Sequence, residues 1–292
     1  MPKEDSAPSS AANGQHTFYR DVLNLINDSQ IPYLVGGGYA LDHYIGIARR
    51  SKDLDLVLQP AHAMAVLKLF SAHGYRTELC FPHWLGKIFG DHDVVDIIFS
   101  SGNGICKVDN DWFAYSVPGE ILSITVKLCP AEELIWTKGF IMERERYDGA
   151  DIAHLVRARG AQLDWSRLLR RFAPHWQVLL SHLILFDFIY PSERALVPCW
   201  VVNDLLQRIQ GESVDDAPRS RLCRGTLLSR SQYRVDVEAC GYEDARQQPI
   251  GSMTPDEAMK WTKAGEEQIE RKRNSRAVEA PSRACSDDLE GS

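Results

Sequence analysis

The sequence contains no C-x-x-C pair, no excess of positive charge and no unbroken apolar run of bilayer-spanning length. Each absence removes a class of function. Seven cysteines stand at positions 80, 106, 129, 199, 223, 240 and 285. Their odd number and scattered spacing argue against a disulfide framework and against a zinc knuckle. A formal net charge of -7 does not suggest a surface built to wrap nucleic acid, although a local basic stripe stays compatible with it. The longest apolar stretch, Val178 to Ile189, is interrupted by Ser181, His182 and Asp187 and reads as a buried helix, so no membrane association is expected. The opening segment MPKEDSAPSSAANGQH has no apolar core after its first charges, hence no secretory signal and an expected cytoplasmic setting.

What is present reads as an α+β chain. Residues 1–15 are small and polar and are expected to be disordered. Residues 16–150 mix helix and strand patterns, which predicts one mixed sheet flanked by helices. Helical spacing of Phe18, Val22, Leu23 and Ile26 gives a first helix. A short strand from Ile31 to Val35 runs into Gly36-Gly37-Gly38, and a helix resumes from Tyr39 to Ile45. Leu54 to Leu58 reads as a central strand stopped by Pro60. A helix follows from Ala61 to about His73. Trp84 to Phe89 and Val94 to Phe99, joined by Gly90-Asp91-His92-Asp93, predict a hairpin. Ile121 to Leu128 reads as one strand, and Pro130 opens a helix through Met142. Residues 151–210 form a helical C-terminal region, 211–262 an appendage, and 263–292 a charged, flexible tail.

Three features bear on chemistry. The glycine run between strand and helix lets backbone come close to a phosphate, with the helix N-terminus behind it. A tight turn without a ligand explains the run equally well. Asp53 and Asp55 lie two apart at a strand start, so both carboxylates face the same way. Mg²⁺ takes such a pair together with substrate phosphates, while a solvated strand end also fits D-x-D alone. Asp96 sits inside Val94-Val95-Asp96-Ile97-Ile98-Phe99, where a carboxylate needs a partner. That partner is either an arginine or a metal shared with the other two. Asp148 and Asp151 lie three apart, on one side of a helix if helical. Arg167 to Arg171 reads as a charged helix face, with contact to an RNA or nucleotide phosphate as the alternative, and His175 and His182 as packing residues with satisfied hydrogen bonds, with an acceptor-site role as the alternative.

Gly37-Gly38-Tyr39-Ala40-Leu41, then Arg49-x-Ser51-Lys52-Asp53-Leu54-Asp55, then Asp96 in a neighbouring strand resemble the polymerase-beta-like nucleotidyltransferase superfamily. Within it, the AbiEii-like bacterial branch is the most similar. Lys138, followed by Arg144, Arg146, Asp148 and Asp151, extends the likeness, which covers residues 30 to 155. The resemblance implies that Asp53, Asp55 and Asp96 hold two Mg²⁺ ions. It further implies that Gly36, Gly37, Gly38, Arg49, Ser51 and Lys138 bind the nucleoside triphosphate. Many members carry Gly-Ser where this chain has only glycine, and the run allows two registers, Gly36-Gly37 or Gly37-Gly38. The implied reaction moves an NMP to an acceptor hydroxyl of a small molecule, a tRNA end or a protein. A catalytically silent binding protein, or a toxin masked by an antitoxin, are the alternatives.

Overall fold

The structure, a computed structural model, describes residues 10–46, 53–211, 221–248 and 250–279. Arg49 and Ser51 lie outside the described residues.

The front half alternates helices and strands: α1 (Ser10–Asp28), β1 (Leu34–Val35), α2 (Gly37–Ile45), β2 (Leu54–Val57), α3 (Pro60–Ala72), β3 (Arg76–Phe81), β4 (Leu85–Phe89), β5 (Val94–Ile98), α4 (Asn110–Ala114), β6 (Val117–Ile121), β7 (Ile124–Leu128) and α5 (Ala131–Gly139). Then come β8 (Met142–Glu143), β9 (Arg146–Tyr147), α6 (Gly149–Arg159), α7 (Trp165–Phe172), α8 (Trp176–Ile189), α9 (Cys199–Gly211), β10 (Leu222–Cys223), α10 (Arg234–Glu238), β11 (Glu243–Asp244) and α11 (Pro255–Glu279). Seven strands form one sheet in the order β3-β4-β5-β2-β1-β7-β6. Pairs β2–β5 and β1–β7 are parallel and the others antiparallel, so the sheet is mixed and the fold α+β.

The core explains the arrangement. Tyr19, Val22, Leu23 and Ile26 of α1 recur at helical spacing and are fully buried, giving that helix one apolar stripe. Leu54 and Leu56 of β2, and Val95 and Ile97 of β5, are fully buried on one face of the sheet. Strand alternation therefore turns Asp55 and Asp96 to the other face, and Asp53 immediately precedes β2. Pro60 stands at the first position of α3, where a missing N–H costs nothing.

Several elements differ from the sequence reading, among them the helix expected through Met142, which ends at Gly139 and is followed by the β8–β9 hairpin. The single strand expected from Ile121 to Leu128 is the hairpin β6–β7, with a two-residue turn in which Leu122 (φ 51°) and Ser123 (φ 63°) both have positive φ. Primed hairpin turns are normally signalled by Asn or Gly, and Leu-Ser hides one. Strand β3 pairs with β4 along the sheet edge and carries no clean alternation of buried and exposed positions. The apolar stretch also begins earlier than Val178: within Trp165–Ile189 an 18-residue window has a mean hydropathy of 1.2. It is divided by a tight turn at Ala173–His175 into α7 and α8, which pack against each other.

Nor is α7 a solvated charged face. Arg167 is buried and donates two hydrogen bonds of 2.9 Å to the carboxylate of Glu133, itself fully buried on α5. Arg167 also pairs with Glu132, and Arg171 donates to Glu133 and to Asp109. Burial pushes the Glu133 carboxyl up, against the pull of Arg167 and Arg171. This ionic cluster fastens the helical half to the helix that follows the sheet. A fully desolvated carboxylate is tolerated there only because two guanidinium groups meet it.

Candidate active site

The site is laid out by sheet register. Parallel pairing of β2 and β5 places Asp55 directly beside Asp96. Antiparallel pairing of β4 and β5 places Lys87 beside Asp96 on the other side. Lys87 Nζ donates to Asp96 Oδ1 at 2.5 Å. On the remaining side of Asp55, the amide of Gly36 donates to the Asp55 carbonyl at 2.9 Å. Gly36, Asp55, Asp96 and Lys87 thus form one row across the sheet, with Asp53 at the head of β2.

In the glycine run, Gly36 and Gly37 are the positions in tight contact with β2. Gly37 has φ +52°, and a Cβ built there would stand 1.5 Å from Asp55 Oδ2. A Cβ on Gly36 would meet Val57 Cγ2 at 2.9 Å. Both positions require glycine, one for conformation and both for space. The first turn of α2 therefore begins against the Asp55 carboxylate, with its N-terminal N–H groups and positive dipole end at the cleft.

Electrostatics mark Asp55 as under-compensated. Burial first, then the neighbouring Asp96 and Asp53, raise its pKa to about 7. Lys138 and Arg146 pull the other way. Asp96 is also raised, by burial first, with Lys87 opposing. A half-buried carboxylate that near-neutral protons compete for is a fitting ligand for a divalent cation, which would relieve the same repulsion. Asp55 has the chemistry for that role, with Asp53 close enough to raise its pKa. Asp96 is occupied by the Lys87 ammonium, and among the described residues no group of three carboxylate, histidine or cysteine side chains is already gathered as a metal cluster.

Lys138, on the last turn of α5, donates to Asp148 Oδ2 at 2.9 Å and to Asp151 Oδ2 at 2.7 Å. Arg146 grips Asp148 through two further bonds of 2.9 Å. The structure so assembles Lys138, Asp148 and Asp151 as one ionic group whose positive members act on Asp55. Lys138→Met removes a partner from two carboxylates that are largely shielded from water. It is expected to cost about 2–3 kcal/mol, below the usual figure for breaking a buried pair because Arg146 still holds Asp148. A urea titration of both proteins measures this, and an unchanged midpoint refutes it.

One site-facing residue escaped the sequence reading. Lys87 was legible in the hairpin it lies on: a turn at Gly90–Asp93 makes Phe89 face Val94, and counting back by two brings Lys87 opposite Asp96.

Residues 19–83 match the family model of aminoglycoside-2''-adenylyltransferase. The matched segment is of nucleotidyltransferase kind. It contains Gly36, Gly37, Asp53 and Asp55 and stops short of Lys87, Asp96 and Lys138. No curated protein matches the chain. Among solved structures, the chain is similar to the antibiotic-resistance factor ANT(2'')-Ia at 18% identity, covering 58% of this chain and 97% of that one, with a TM-score of 0.40. It is similar to the lincosamide antibiotic adenylyltransferase LnuA, solved with lincomycin, at 19% identity over 48% and 94% of the two chains, with a TM-score of 0.35. An antigenic nucleotidyltransferase-like protein from Paracoccidioides brasiliensis matches at 16% identity over 65% and 97%, with a TM-score of 0.39.

Proposed function

We propose that this chain is a metal-dependent nucleotidyltransferase that moves an NMP from an NTP to an acceptor hydroxyl and releases pyrophosphate. The observation that carries the reading is the register of β2 and β5. It sets Asp55 beside Asp96, with Asp53 just before the same strand, against a Gly36–Gly37 turn that no side chain can enter. Divalent cations held by Asp53 and Asp55 would supply charge neutralisation for the triphosphate and the leaving pyrophosphate.

The chain's own groups account for the rest. Backbone N–H groups at the head of α2 bind phosphate oxygens that glycine leaves accessible. Lys138, positioned by Asp148 and Asp151, sets positive charge at the cleft. In the transfer step the acceptor oxygen bonds to the α-phosphorus as the bond from that phosphorus to the pyrophosphate oxygen breaks. In this reading the acceptor proton passes to a carboxylate, and that role is given to Asp96 once the acceptor displaces the Lys87 ammonium from it. Positioning and electrostatics dominate such reactions.

A second reading, a silent nucleotide-binding protein, draws on one observation: the Lys87 ammonium already neutralises Asp96. A third, a toxin with a protein partner covering the site, draws on the AbiEii-like sequence resemblance. The test is to incubate wild type with Mg²⁺, each α-labelled NTP in turn, and acceptors comprising deacylated tRNA, bulk protein, aminoglycosides and lincosamides. Label on one acceptor class with stoichiometric pyrophosphate is the expected result. Metal-dependent NTP binding without label transfer to any of them favours the silent reading.

A further inference from the structure

Away from the carboxylate row lies a cavity of about 540 Å³ whose polar lining comprises the cations Arg170, Arg171 and Arg224 together with the His175 ring. Arg171 is accounted for by Asp109 and Glu133. Arg170 and Arg224 have no ion-pair partner among the described residues. His175 is buried, at 5% exposure, and its ring has no hydrogen bond to any described residue. It is already held below its usual pKa by burial and by Arg224. Trp136, which closes part of the wall, keeps its indole N–H buried without a hydrogen-bond partner.

Needs of the fold do not explain this gathering. A cation in the last turn of α7 suits the negative helix end, which accounts for Arg170 alone. Arg224 comes from a separate turn after β10, and His175 from the junction of α7 and α8. Three elements bring unpaired donors to one hollow, where like charges repel unless an anion joins them. Arg170 and Arg224 are exposed to solvent, so it is their convergence on one hollow, not burial, that favours an anion there.

We infer that this cavity binds a small phosphomonoester. Two unpaired guanidinium groups match the double charge of a phosphomonoester and present planar N–H forks to its oxygens. Ile105, Pro174 and Ile250 also line the hollow and give apolar surface for the organic part. A hollow of this size is within the range of small-molecule sites. The inference is separate from the proposed transfer reaction, because none of these residues belongs to the carboxylate row.

The experiment is isothermal titration of the full chain with phenyl phosphate, inorganic phosphate and phenol, on wild type, Arg170→Gln/Arg224→Gln and Asp55→Asn. Saturable binding of phenyl phosphate by wild type and by Asp55→Asn is expected, weaker binding of inorganic phosphate, and none of phenol. In the double arginine variant phenyl phosphate should bind at least about tenfold more weakly, which is about 1.4 kcal/mol. NTP binding in the presence of Mg²⁺ should be retained by that variant, with circular dichroism confirming its fold. His175→Gln, which keeps one donor, should weaken binding less than the arginine changes. Absence of phenyl phosphate binding, equal binding by the arginine variant, or loss of binding in Asp55→Asn each overturns the inference. Tighter binding of a single-stranded oligonucleotide than of phenyl phosphate does so too, by making the surface a nucleic-acid site. Failure here leaves the transferase reading standing, since that rests on label transfer.

Discussion

Asp55→Asn is expected to abolish nucleotide transfer and, at the same time, to make the ligand-free protein more stable above neutral pH. The two effects have one origin. Asp55 is needed as a charged ligand, and its charge is poorly tolerated where it stands. Loss of a carboxylate that organises the charge of the transferring phosphate should lower kcat at least about a hundredfold to a thousandfold. The stability effect follows from linkage. The folded carboxyl titrates near 7 and the unfolded one near 3.9. Between these values the folded state binds more protons, so stability falls as pH rises from about 4 to about 7 and stays reduced above. Three pKa units correspond to about 4 kcal/mol. Partial exposure of the residue reduces the expected gain in the variant to on the order of 2 kcal/mol. Thermal melts at pH 5 and pH 8 check the sign: the variant should gain on wild type at pH 8 and little at pH 5. Added Mg²⁺ should raise the wild-type midpoint and leave the variant's in place. A variant that loses stability at pH 8 would show that the Asp55 charge is compensated in the folded state.

The second large effect is expected at Gly37. Gly37→Ala places a methyl carbon 1.5 Å from Asp55 Oδ2, a separation no packing permits. Either the head of α2 or the Asp55 side chain must move, and both are part of the site. Positive φ adds about 1–2 kcal/mol for any side chain. Together these are expected to cost about 4 kcal/mol or more, the range reserved for backbone and overpacking faults, with transfer activity lost. Gly46, at the other end of the same helix, is an internal control. It has φ +66° and open space around a built Cβ, so Gly46→Ala should cost only the backbone part. Urea titrations of the two variants separate space from conformation, and equal losses would remove the argument from contact.

Much of the site was readable in advance because strand alternation is a local rule. Asp53 and Asp55 share a face by counting, and Asp96 stands out as the one charge in an apolar strand. The two-register ambiguity of the glycine run was different, since it depends on how closely β2 approaches, a tertiary distance. The turn at Leu122–Ser123 escaped because positive φ there is imposed on residues that do not advertise it. Arg167 escaped for a related reason. Its helix looks amphipathic and charged, and only the position of Glu133, 34 residues earlier, shows that the charge points inward. His175 reads in sequence as a satisfied packing residue, whereas the fold leaves its ring without a hydrogen-bond partner among the described residues.

The row Gly36–Asp55–Asp96–Lys87 also sets which insertions the gene tolerates. A residue added within β5, between Val94 and Asp96, would shift Asp96 by one position and swing it to the buried face, because side chains alternate with every residue. Asp96 would then leave both Asp55 and Lys87. No such constraint acts on the β6–β7 turn at the far edge of the sheet, where neither strand carries a member of the row. Length variation among descendants of this chain should therefore collect at Leu122–Ser123 and be purged from β5.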